Sequence, residues 1–121
     1  MAAISDLFPS TYEAARSRFR ATLRSLQRLW PGARLGSHSV QAGDDPTIDW
    51  IEARPTATPE RLLLVTTGEH GIEGYVGSAV LQFLTEEFLP ALDPSRIGLF
   101  LLHTINPWGM KHRRRTNAGN V

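Results

Sequence analysis

Two continuous apolar segments, residues 62–67 and 97–103, constrain the fold of this sequence more than any other feature. Neither shows the polar alternation of a half-exposed strand, so we expect the first to be an inner strand covered on both faces. Between them, from residue 75 to about 88, apolar residues recur at three- and four-residue spacing, which indicates a helix. Strand, helix and strand in this order predict a right-handed βαβ unit with a parallel strand pair, and hence a protein of the α/β class.

The N-terminal part predicts a helix and a β-hairpin. The helix spans residues 10–29, with Ser10 as its N-cap and Glu13 in the capping-box position. Its apolar face comprises Tyr12, Ala15, Phe19, Leu23, Leu26 and Trp30. Its other faces carry Arg16, Arg18, Arg20, Arg24 and Arg28, which we interpret as a solvated surface rather than a phosphate-binding stripe. Residues 34–41 and 47–54 predict two strands joined by a turn at 42–46.

Composition excludes several classes of protein. The 121 residues contain no cysteine, so disulfides, thiolate zinc sites and cysteine nucleophiles are excluded. No apolar run approaches the roughly 18 residues of a membrane helix, and the start does not read as a secretory signal. We therefore expect a cytoplasmic protein without membrane contact. The net charge of +1 implies no global electrostatic partner.

Polar segments follow both parallel strands, at the sheet edge where open α/β proteins bind ligands. In the first, His70 and Glu73 stand three residues apart at a loop-to-helix junction, and an imidazole and a carboxylate so spaced can bind one zinc ion. The alternative is a helix-opening Glu73 at the positive end of the helix dipole, beside a His70 that merely packs or hydrogen-bonds.

Further candidates lie in the second segment. His103 ends the second strand and is either a packing residue or a further metal ligand. Arg113, Arg114 and Arg115 belong to either a solvated tail or a group that stabilises an oxyanion or binds phosphate.

Two sequence segments resemble a known family. Residues 68–78, GEHGIEGYVGS, resemble the zinc-site segment of the bacterial family called domain of unknown function 2817, an outlying branch of the M14 zinc carboxypeptidase superfamily. The later NPWG at 106–109 and RRTN at 114–117 resemble that family's Asn-Pro-aromatic-Gly and Arg-Arg-x-Asn elements. The resemblance implies that His70 and Glu73 are Zn²⁺ ligands and that Arg115 polarises the scissile carbonyl.

The same resemblance implies a fold and a reaction. The fold would be the N-terminal part of a zinc-carboxypeptidase-like mixed sheet, made of a helix, a β-hairpin and a parallel βαβ unit. The reaction would be hydrolysis of a peptide or of an N-acyl amino acid by zinc-bound water, with a glutamate as general base.

The resemblance also predicts an incomplete active site. In the family, an Asp-Leu-Asn-Arg-Asn segment follows the position of Val121, and the third zinc ligand and the catalytic glutamate lie beyond it. We therefore expect residues 1–121 to form a single partial domain without activity of its own.

Other hypotheses remain open at this point. The chain could be a non-catalytic α/β module that binds nucleic acid or a protein through its basic run at residues 111–115, although one neighbouring aromatic, Trp108, makes base stacking a weak prediction. It could also bind zinc without catalysis, with His103 as third ligand. An unpaired sheet edge would favour self-association.

Overall fold

The computed structural model describes residues 3–40 and 45–121 and shows a four-stranded sheet with helices packed on one face. In chain order the elements are α1 (Tyr12–Gln27), β1 (Arg34–Ser39), β2 (Thr47–Ala53), β3 (Arg61–Thr66), α2 (Gly74–Glu87), β4 (Ile97–His103) and α3 (Pro107–His112), with short 3₁₀ turns at Ile4–Leu7 and Leu89–Ala91. None of the described helices combines the length and the apolar character that a membrane span requires.

The sheet has the strand order β1-β2-β4-β3. β1 pairs antiparallel with β2, β2 antiparallel with β4, and β3 parallel with β4, which confirms the predicted hairpin and βαβ unit. Of the turn predicted at residues 42–46, positions 42–44 lie outside the described residues.

The prediction that residues 62–67 form an inner strand is wrong. Within the part of the chain that the structure describes, β3 has a neighbouring strand on one side only, and β4 is the inner strand of the parallel pair. Leu62 and Leu64 are 64% and 59% exposed because α1 and α2 pack on the opposite face of the sheet. The apolar run therefore predicted a strand correctly, but it did not indicate whether that strand lies inside the sheet or at its edge.

Helix α1 begins one residue later than expected. Thr11, not Ser10, is the N-cap, because its backbone is extended and its hydroxyl accepts a hydrogen bond from the Ala14 amide at 3.1 Å. The helix ends at Gln27 rather than near residue 29. Its predicted apolar face is confirmed, and Phe19 and Leu26 pack in the core.

The core lies between α1, α2 and one face of the sheet. The strands contribute Ile51, Ala53, Leu99 and Leu101. Trp30, just after α1, is fully buried among them, and its indole N–H donates to the carbonyl of Ile97 at 2.8 Å. This bond fixes the end of α1 to the start of β4, since a buried indole N–H needs an acceptor.

A buried ion pair connects α1 to the sheet. The Asp49 carboxylate on β2 is fully buried and accepts two hydrogen bonds from Arg20, at 2.6 Å and 3.2 Å, and one from the Ser37 hydroxyl at 2.7 Å. The hydrogen bond to Asp49 raises the pKa of Arg20 above its ordinary value, so the guanidinium stays charged. The prediction of a solvated row is thus wrong for three arginines: Arg16, Arg18 and Arg20 are half-buried with partners on other segments, whereas Arg24 and Arg28 are exposed.

We expect Arg20→Gln to lower the free energy of unfolding by roughly 3 kcal/mol, because the buried Asp49 carboxylate would lose its counter-charge. Arg34→Gln is the matched control: the Arg34–Glu52 pair is equally short at 2.6 Å but exposed, so the loss should stay below about 1 kcal/mol. Urea denaturation measures both. Equal losses in the two variants would contradict the structural role of Arg20.

We also propose that the outer edge of β3 pairs with a second copy of the chain, since no strand among residues 3–40 and 45–121 pairs with that edge and exposed leucines flank it. Sedimentation should show concentration-dependent self-association that Leu64→Lys weakens. His38→Lys, on exposed β1 at the opposite edge of the sheet, should leave it unchanged. A wild-type chain that remains monomeric at all concentrations would refute this proposal.

Candidate metal centre

The His70–Glu73 pair lies in the loop between β3 and α2, at the carboxyl end of the parallel strands. The Nδ1 atom of His70 is 3.2 Å from Oε2 of Glu73, and their side chains are 41% and 64% exposed. Glu73 is also the N-cap residue of α2, yet its carboxylate makes no capping hydrogen bond. Both groups are therefore accessible to an ion from solvent.

The separation of these two atoms fits a shared zinc ion. Zinc binds histidine nitrogen and carboxylate oxygen at roughly 2.0–2.2 Å, and two ligands of a tetrahedral ion then lie about 3.3 Å apart. The observed 3.2 Å between Nδ1 and Oε2 agrees with that spacing, and it is equally the length of a direct hydrogen bond between the two side chains. The imidazole and the carboxylate could thus hold zinc with little rearrangement.

Among the residues that the structure describes, the pair has no third protein ligand nearby. Residues 3–40 and 45–121 contain no group of three His, Asp or Glu side chains that could hold a metal. His103 in particular is 1% exposed and stacks on Phe19, with ring centroids 5.2 Å apart, in the layer between sheet and helices. The hypothesis that His103 completes a zinc site is wrong for this structure, because the side chain points into the core.

Backbone hydrogen bonds join the loop that carries His70 and Glu73, which we call the metal-pair loop, to the segment that carries Arg115. The amide of Gly71 donates to the carbonyl of Arg115 at 3.1 Å, and the amide of Ile72 donates to the carbonyl of Arg114 at 3.0 Å. Arg115 itself is exposed. The structure thus brings together the main-chain segments of all three predicted site residues, although Arg115 is more than 40 positions from His70 and Glu73 in sequence.

Asn106 supports this junction and was not singled out from the sequence. Its side-chain oxygen accepts from the Gly109 amide at 2.9 Å, and its side-chain nitrogen donates to the Arg115 carbonyl at 3.5 Å. Helix α3 begins at this motif, with Asn106 as its N-cap and Pro107 in its first turn. The Asn-Pro pair was the available signal, since asparagine favours the N-cap and proline the first helical position.

Two other residues of the basic run have intramolecular partners. Lys111 lies 3.7 Å from carboxylate oxygens of both Glu13 and Asp45. Arg113 lies over the ring of Tyr75 and donates to the carbonyl of Ser10 at 2.7 Å. These residues anchor the C-terminal segment to the start of α1 instead of forming a separate basic tail.

A cleft of about 420 Å³ adjoins the metal-pair loop. Its lining includes Glu69, Asn106, Trp108 and Asn117 but neither His70 nor Glu73. Because its walls combine an aromatic ring, amide groups and a carboxylate, the cleft can take up a polar organic group near the pair.

Gly71 keeps the loops in contact. A Cβ atom at Gly71 would overlap the backbone of Gly109 and lie 2.5 Å from the carbonyl oxygen of Arg114. Both neighbours are main-chain atoms that a rotamer change cannot move. The hydrogen bonds between residues 71–72 and 114–115 therefore require glycine at this position.

Gly71→Ala should destabilise the protein by about 1–3 kcal/mol, because the overlap must be relieved by separating the two loops. Thermal unfolding followed by circular dichroism measures the loss. Gly32→Ala is the control, since a Cβ there meets nothing within 4 Å. A Gly71→Ala variant as stable as Gly32→Ala would contradict the tight junction.

Solved structures share the fold of this chain. A metallo-carboxypeptidase from Burkholderia cenocepacia matches with a TM-score of 0.55 and 20% identity, over 87% of this chain and 30% of its own. A candidate carboxypeptidase A from Shewanella denitrificans OS-217 matches with a TM-score of 0.52 and 19% identity, over 88% of this chain and 29% of its own. No curated protein matches the sequence. The predicted carboxypeptidase-like mixed sheet is confirmed, and this chain spans less than a third of either neighbour.

The fold is thus that of the metallo-carboxypeptidases. Residues 8–121 match the family described as "Protein of unknown function (DUF2817)", and the chain belongs to this family. The family resemblance read from residues 68–78 and 106–117 is confirmed.

Proposed function

We propose that this chain is the zinc-binding, N-terminal part of a metallocarboxypeptidase-like hydrolase that cleaves a peptide or amide bond. The observation that carries the proposal is the 3.2 Å approach of His70 Nδ1 to Glu73 Oε2 at the carboxyl end of the parallel strands. The carboxypeptidase-like fold and the DUF2817 family membership support it.

In this proposal each site residue has a distinct role. His70 and Glu73 would hold the zinc ion, which when bound supplies a Lewis acid and an activated water. Glu73 also brings negative charge that offsets the charge of the ion. Arg115 would place its guanidinium against the carbonyl oxygen of the scissile bond, where positive charge stabilises the developing oxyanion.

Two ligands are fewer than the three protein ligands that catalytic zinc sites use. Since the described residues hold no third ligand beside the pair, we propose that this chain alone is inactive and that zinc binds weakly. Its substrates in a complete centre would be peptides or N-acyl amino acids. We also keep the cytoplasm as its proposed location.

Binding of nucleic acid through residues 111–115 is not advanced as a second function. Lys111 and Arg113 already have intramolecular partners in Glu13, Asp45, Tyr75 and Ser10. A surface that binds nucleic acid needs cations available to phosphates.

Zinc titration by calorimetry tests the proposed function. We expect weak binding that falls roughly tenfold or more in His70→Ala, because one of two protein ligands is lost. His38→Ala, on β1, is the matched control and should bind zinc as the wild type does. A peptidase or deacylase assay on the same samples should show no activity above a Glu73→Ala control.

Several outcomes would contradict the proposal. Equal affinities for the wild type and His70→Ala would place the metal elsewhere. Stoichiometric zinc that survives dialysis, or hydrolysis that Glu73→Ala abolishes, would show that the chain carries a complete centre.

A further inference from the structure

The imidazole of His103 is a buried polar group with an unmet need for hydrogen bonds. It is 1% exposed at the end of β4, and its ring lies nearly parallel to that of Phe19, at an angle of 21°. Neither Nδ1 nor Nε2 has a hydrogen-bond partner among the described residues. A neutral imidazole carries one donor and one acceptor, and burying both without partners is costly.

A small cavity lies beside this ring, between α1, α2 and β4. Its volume of about 10 Å³ is the space in which the centre of a water molecule can move. This is about the least room that one buried water requires. Besides His103, the cavity lining includes five residues with polar side chains, Arg18, Thr22, Ser78, Gln82 and Thr85, together with Phe19 and Leu81.

The hydroxyl groups of the lining have capacity left for a ligand. Thr22 donates to the carbonyl of Phe19 at 2.6 Å, and Thr85 donates to that of Leu81 at 2.8 Å, so each hydroxyl oxygen can still accept a hydrogen bond. The Ser78 hydroxyl oxygen accepts from Arg18 at 3.3 Å, and its proton can be donated.

We propose that this cavity is a specific site for one buried water molecule, held between His103 and the hydroxyl groups of Thr22, Ser78 and Thr85. Such a water can donate to one hydroxyl oxygen and to the unprotonated ring nitrogen, and accept from the Ser78 hydroxyl. Two to four polar partners are what ordered internal waters have. The water would connect both helices to the central strand.

The electrostatic surroundings favour the neutral imidazole that this arrangement needs. Burial lowers the pKa of His103 to about 4; Asp49 on β2 and a contact of the ring with the residue's own backbone oppose the shift, while Arg18 and Arg16 on α1 add to it. At neutral pH one ring nitrogen therefore keeps its lone pair, available to a water hydrogen.

Water–protein cross-relaxation measured by NMR on this chain tests the proposal. We expect cross-peaks between water and side-chain protons of Thr22, Ser78 and Thr85, with the sign of a long-lived bound water. His103→Phe keeps the ring stacking but removes both nitrogens, so it should abolish these cross-peaks. Thr85→Val preserves shape and removes one hydroxyl, so it should weaken the cross-peaks. This variant provides the test if His103→Phe does not fold. Thr56→Val, on the surface, is the control and should leave them intact.

Three results would overturn the water site. The first is the absence of long-lived water at these residues in the wild type, and the second is its persistence in both cavity variants. The third is a higher Tm in His103→Phe, because a gain in stability would mean that the ring nitrogens of the wild type are unsatisfied.

Discussion

Strand β4 is the element on which the rest of this structure depends. It pairs with β2 on one side and with β3 on the other, so it joins the N-terminal hairpin to the βαβ unit in one sheet. Leu99 and Leu101 on its buried face fill the core, and the indole of Trp30 donates to its first residue. Because β4 ends beside β3, the loops that follow both strands meet at one edge, where the candidate metal pair lies.

That edge is held together by main-chain contacts more than by the site's own side chains. The hydrogen bonds from residues 71–72 to the carbonyls of Arg114 and Arg115 fix the distance between the two loops. The side chains of His70 and Glu73 stay accessible, which suits the zinc-binding role proposed for them. A fixed backbone holds the side chains of a site in position, while their exposure leaves the site open to an ion.

Local patterns in the sequence predicted the helix α1, the hairpin and the βαβ unit, because period and turn residues are properties of neighbouring positions. Strand order is not a property of neighbouring positions. Nothing in the sequence near Leu62 or Leu64 shows that β3 lies at the edge of the sheet formed by the described residues. The choice of Thr11 over Ser10 as cap depends on one backbone conformation. The burial of His103 depends on its register opposite Asp49, 54 positions away. His70 and Glu73 could be proposed from spacing, whereas the role of Arg115 rests on family resemblance.

The central claim is that His70 and Glu73 bind one zinc ion together. X-ray absorption spectroscopy of the zinc-loaded chain, combined with the same measurement on His70→Ala, tests it most directly. We predict one imidazole nitrogen and carboxylate oxygen, with water filling the remaining positions, and loss of the imidazole signal in the variant. An unchanged imidazole signal in His70→Ala, or two or more histidines around the zinc of the wild type, would contradict the account.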